Sequence, residues 1–148
     1  SDVYKRQAFE FVDVTPADVA FKAWGKTLGE LFANAAKAMF EVMVNTEQVE
    51  QQVERELEVK GDDLLDLLFN WLNELLYYVD AEGLLLSKFK VEKVEEEDGK
   101  YRLKGYAEGE PIDPERHRLK VEVKAATYGL MSIERGSQGV KLRVLFDI

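Results

Sequence analysis

The 148-residue chain has no cysteine, one histidine, three prolines and more acid than base. Without a thiol there is no disulfide framework, no thiolate zinc site and no cysteine nucleophile. The single imidazole, His117, sits in the Pro- and Arg-containing loop P-E-R-H-R, and no Ser, His and Asp set falls in register around it. A nucleophilic triad is therefore not expected, and His117 is read as an ordinary surface residue. No Gly-rich segment follows a strand and opens a helix, which removes both nucleotide fingerprints. No apolar run approaches the roughly 18 residues a membrane helix needs, and no charged-then-apolar leader is present. The expectation is a soluble, cytoplasmic protein with no membrane role.

Basic charge is also scarce: 20 Lys and Arg stand against 29 Asp and Glu, a formal net charge of -9. Gripping nucleic acid requires clustered cations, so strong direct binding to it is not expected. The short basic stretch R-H-R-L-K at 116–120 is flanked by acids and reads as a solvated loop and strand start.

What is present is the making of one soluble domain, 46% hydrophobic and 33% charged. A chain of this length buries about two-thirds of the surface exposed when unfolded. Residues 1–7, S-D-V-Y-K-R-Q, break with the pattern that follows and are expected to be a non-native or disordered leader to a single domain over 8–148. From Ala8, A-F-E-F-V-D alternates, and D-V-A-F-K-A-W alternates again after the V-T-P turn, which predicts two short strands. The second places Val19, Phe21 and Ala23 on one face and Asp18, Ala20 and Lys22 on the other.

T-L-G-E predicts a capping box, with Thr27 as N-cap and Glu30 reaching back, ahead of an amphipathic helix through Met43. V-E-R-E-L-E-V, 53–59, is read as a strand. A second helix is expected from Asp63, its N-cap, to about Val79, apolar nearly all round and so buried on more than one side or against a partner. L-L-L-S-K-F-K-V-E-K-V, the E-D-G-K turn and Y-R-L-K-G-Y-A form a hairpin signal. Strands are then expected over L-K-V-E-V-K-A-A-T-Y, M-S-I-E and V-K-L-R-V-L-F-D-I. The fold class is α+β, two amphipathic helices on mainly antiparallel β-sheet.

The remaining chemistry lies in oxygen. Asp18 and Asp147 are placed on polar strand faces near turns, and Ile148 adds an α-carboxylate beside Asp147. Hard divalent cations such as Ca²⁺ take oxygen ligands of this kind. The blander readings are a backbone-capping role for Asp18 and a solvated Asp147, and residue type alone favours those.

The runs D-V-T-P-A-D-V-A-F-K-A-W-G-K-T-L-G-E-L-F-A-N-A-A-K-A-M-F-E-V-M, L-L-F-N-W-L-N-E-L-L-Y-Y-V-D-A-E-G-L-L-L-S-K-F and E-V-K-A-A-T-Y, with the final F-D-I, resemble the archease family in order from Phe9 to Ile148. The resemblance implies a non-enzymatic partner of the GTP-dependent RNA ligase that joins tRNA halves, promoting ligase guanylylation and multiple turnover. It implies a divalent cation, calcium in the family, held by Asp18, Asp147 and Ile148, and a ligase-activation role for Lys124, Thr127 and Asp80. The chain departs from the family where Val14-Thr15-Pro16 precede Ala17-Asp18, with Pro16 apparently inserted, and where Val79 and Gly129 replace histidines. The alternatives are a general chaperone or interaction module for RNA-processing enzymes, and, ranked well below, a metal-dependent hydrolase for which no general base is identified.

Overall fold

The computed structural model describes residues 8–14, 18–136 and 139–147, with the side chains of 12–14, 18, 125–132, 135 and 140–147 outside the description. The expected leader, 1–7, lies outside the described residues, as do Pro16 and Ile148. The elements are β1 (Phe9–Val14), β2 (Asp18–Gly25), α1 (Leu28–Met43), a 3₁₀ turn (Thr46–Gln48), β3 (Val53–Gly61), α2 (Leu64–Glu82), β4 (Leu84–Glu97), β5 (Lys100–Pro111), β6 (Ala125–Gly136) and β7 (Gly139–Asp147). The strands form a four-stranded sheet, β1-β2-β7-β6, and a three-stranded sheet, β3-β5-β4. Every described strand pair is antiparallel. Two helices on antiparallel sheets make an α+β fold.

Both helices start on the N-cap residues expected of them, Thr27 and Asp63. The Thr27 hydroxyl accepts the Glu30 N–H at 3.1 Å, and Asp63 accepts the Asp66 N–H at 2.8 Å. Asp66 reaches back to accept the Asp62 N–H at 2.8 Å, completing the reciprocal cap at α2. The two strand-to-helix turns are built alike. A Cβ on Gly25 would lie 2.4 Å from the Leu31 nitrogen, and one on Gly61 would lie 2.4 Å from the Leu67 nitrogen. Each helix thus folds back so tightly on its strand that only glycine fits. α2 runs on past Val79 to Glu82, where Gly83 caps it by donating to the Val79 carbonyl at 3.1 Å.

The helices lie against both sheets, α1 on β4 and β2, α2 on β3 and β6. Residues from every layer, including Phe21, Leu31, Phe32, Leu57, Leu72 and Leu86, meet in one core. The indole of Trp71, wholly buried, donates to the Phe32 carbonyl at 3.0 Å and ties α2 to α1. The buried residues of α2, Leu67, Leu68, Trp71, Leu72, Leu75 and Leu76, lie on one broad face, and Tyr77 is 56% exposed, so the helix is less enclosed than its nearly all-round apolar sequence predicts. No described helix is long and apolar enough to cross a membrane.

The segment between β5 and β6 departs from the sequence reading. A strand is expected from Leu119, but β6 begins only at Ala125. Leu119 instead bridges Val44, and the Lys120 N–H donates to the Met43 carbonyl at 2.8 Å. These bonds are spent on the end of α1, so residues 118–124 run outside both sheets.

Candidate functional site

β2 and β7 pair with Asp18 directly opposite Asp147, and β6 pairs with β7 so that Ala125 is opposite Asp147 as well. The three positions form one row across β2, β7 and β6. Lys124, exposed, stands one residue beyond that row, and Thr127 lies farther along β6 opposite Leu145. Two carboxylates at opposed positions suit a hard cation, which takes six to eight oxygens. The donor types of Asp18 and Asp147 therefore fit the ion that the resemblance implies, while Ile148 lies outside the described residues. Among the described side chains, no three His, Asp or Glu groups converge on a metal-sized position.

Asp80 is exposed near the end of α2, the helix that packs on β6, and Val79 beside it is half-buried. Gly129 lies in a β6 bulge, where the register jumps from Thr127↔Leu145 to Ser132↔Arg143. The structure thus gathers Asp18, Asp147 and Lys124 at one end of a sheet, with Thr127 adjoining and Asp80 on the neighbouring helix.

The approach to Lys124 is tethered by a buried polar cluster that sequence reasoning missed. His117 is 3% exposed, not a surface residue. Its Nδ1 accepts the Asp113 N–H at 2.9 Å, so its proton is on Nε2, which faces Glu110 Oε2 at 3.1 Å. Glu110, 1% exposed, also pairs with Arg116 and accepts the Glu50 N–H. The Arg116 guanidinium, opposed by burial and assisted by the Glu50 and His117 hydrogen bonds, pulls the Glu110 carboxyl down to about 2. The cluster folds 112–117 onto β5, and the Val44 and Met43 contacts carry the chain on to Lys124. The legible signal was a lone His within reach of a strand-end Glu across a P-I-D-P turn. Nothing in that spacing distinguishes a buried turn from a solvated one.

The model of the Archease protein family (MTH1598/TM1083) matches residues 9–148. The chain is 42% identical over 140 residues to the protein archease of Methanosarcina mazei, covering 95% of each. It is similar to the solution structure of Methanobacterium thermoautotrophicum protein 1598, at a TM-score of 0.83 and 48% identity, covering 95% of this chain and 99% of that one. The crystal structure of an archease from Thermotoga maritima, described as a possible chaperone, shares the fold at a TM-score of 0.59 and 19% identity, covering 93% of this chain and 95% of that one. Matched along its length by family model, relative and solved structure, the chain belongs to the archease family.

Proposed function

We propose that this protein is a non-enzymatic activator of the GTP-dependent tRNA-splicing RNA ligase, promoting ligase guanylylation and multiple turnover. In this reading Asp18, Asp147 and Ile148 hold a divalent cation, calcium by family precedent. The observation that carries it is the row Asp18–Asp147–Ala125 with Lys124 next to it, because residues distant in sequence come together where one partner could touch them all. When bound, the cation supplies positive charge that offsets the paired acids and attracts phosphate oxygens. Asp18 and Asp147 orient that charge, Lys124 adds a second cation at the same sheet end, and Thr127 and Asp80 extend the surface offered to the ligase. The net charge of -9 suits a basic, RNA-binding partner and a cytoplasmic encounter steered by charge, with an on-rate that falls as salt rises.

The test is a multiple-turnover ligation assay with GTP and a divalent ion, comparing ligase alone, ligase with this protein, and ligase with Asp18→Ala, Asp147→Ala or Lys124→Ala. Stimulation by the parent and its loss in the variants is the expected result; full stimulation by folded Asp18→Ala overturns the site. A general chaperone for RNA-processing enzymes differs in stoichiometry. It would act only at one copy per ligase, whereas an activator works below that ratio.

A further inference from the structure

A cavity of about 400 Å³ opens between the start of β1, α1 and β4, lined by residues that include Phe9, Asn34, Lys37, Gln51, Lys88 and Phe89. It lies by the Phe9↔Ala23 pair, at the other end of β2 from Asp18. No Asp or Glu among the described residues lines it, although the chain carries 29 acids. The other described cavities that contain lysine all contain carboxylates: Asp62, Asp66 and Glu95 in one, Glu92 in another, Glu54 and Glu108 in a third.

Lys37 is the fixed cation of this cavity. It sits half-buried on α1 between Ala36 and Ala38, both wholly buried, and its ammonium donates to the Ser87 carbonyl at 3.3 Å. No carboxylate among the described residues pairs with it. That carbonyl is presented by a bulge: Leu86 pairs with Gly109 and Lys88 with Glu108, which leaves Ser87 as the extra residue. The Ser87 hydroxyl, buried, donates to the Val49 carbonyl at 3.0 Å and pins the bulge. Lys88 is the adjustable cation, exposed and shared with the adjoining cavity that holds Glu54 and Glu108. Asn34 is oriented by donating to the Trp24 carbonyl at 2.7 Å, and Gln51 adds an exposed amide.

A half-buried ammonium anchored on one neutral acceptor keeps further N–H donors for an anion in the cavity. Two ammonium groups and amide donors around one space match an anion with several oxygens. The geometry points to a phosphate-binding site in this cavity, with Lys37 as its principal ligand and Lys88 as the second. The phosphate is either free or carried on a nucleotide whose base meets Phe9 and Phe89.

The full chain would be titrated with inorganic phosphate, pyrophosphate and AMP, following backbone amide shifts and calorimetric heat. Saturable binding with shifts confined to Asn34, Lys37, Ser87, Lys88 and their neighbours is expected. Lys37→Gln weakens it at least about tenfold, the scale of one charge-assisted hydrogen bond. Lys88→Gln, at an exposed position that leaves the fold intact, weakens it by a smaller factor, and Lys60→Gln, in an acid-lined cavity, leaves it unchanged. AMP binding more tightly than phosphate assigns the source as a nucleotide, and equal binding assigns it as the free anion; both support the site. No saturation by about 10 mM, or equal binding by both Lys37→Gln and Lys88→Gln, overturns it and leaves Lys37 as a clamp on the Ser87 bulge.

Discussion

Asp18 and Asp147, from strands near opposite ends of the described chain, are direct cross-strand neighbours on β2 and β7. Like charges directly opposite in an antiparallel pair destabilise it. Asp18→Asn should therefore raise metal-free stability by about 0.2–1 kcal/mol. Calcium at a hundred times its dissociation constant should stabilise the parent by about 2.7 kcal/mol and the variant far less. Urea melts in EDTA and in calcium would measure both. Equal stabilisation of parent and variant by calcium would remove these acids from the metal site.

Glu110 gives the fold an acid limit. Arg116 holds its carboxyl at about 2, below the ordinary 4.5. A carboxyl depressed in the folded state contributes stability that is fully present above its unfolded value. That contribution is lost as pH falls from about 4.5 through about 2. Glu110→Gln should cost about 1–3 kcal/mol at neutral pH, because it weakens the bonds to exposed Arg116 and buried His117, and should flatten the stability curve over that acid range. Denaturant midpoints at pH 7, 4 and 3 would show this. Parallel curves for the two proteins would count against it.

The two hydrogen bonds of His117 specify its Nε2–H tautomer. Long-range nitrogen–proton spectra should show that tautomer at neutral pH. His117→Ala should cost about 1–3 kcal/mol by leaving the Asp113 N–H without its acceptor and Glu110 Oε2 with the Glu50 N–H alone. It should also speed hydrogen exchange at the Lys120 amide, whose bond to the Met43 carbonyl lies along the same tethered segment. Unchanged exchange there would show that the cluster does not anchor the approach to Lys124.

Gly109 permits the close β4–β5 contact beside the Ser87 bulge. A Cβ there would lie 1.8 Å from the Leu85 carbonyl oxygen, so Gly109→Ala must move backbone. The expected loss is about 1–3 kcal/mol or more, and it should weaken phosphate at Lys37 because the bulge presents the carbonyl that orients that ammonium. Gly136→Ala, with its nearest described neighbour atom at 4.0 Å, is the mild comparison. Similar losses in the two variants would show that the steric argument fails.

Much of this architecture is set by local chemistry and is legible in the residues alone. The caps at Thr27 and Asp63 act on backbone three residues away, and the hairpin turn forms at Asp98-Gly99, where φ values of 54 and 79 match the D-G signal. Alternation in D-V-A-F-K-A-W assigns Val19, Phe21 and Ala23 to the core, where they are 4%, 0% and 0% exposed. Family membership, too, follows from the residue runs themselves, and the resemblance singles out Asp18 and Asp147 together. Their register, the choice of Val44 and Met43 rather than a sheet as partners for 119–120, and the burial of His117 against Glu110 were decided only by the tertiary structure. Such contacts join segments whose local preferences are satisfied equally well apart. What selects them is the balance of non-local burial and pairing against loop closure, which no window of the chain contains.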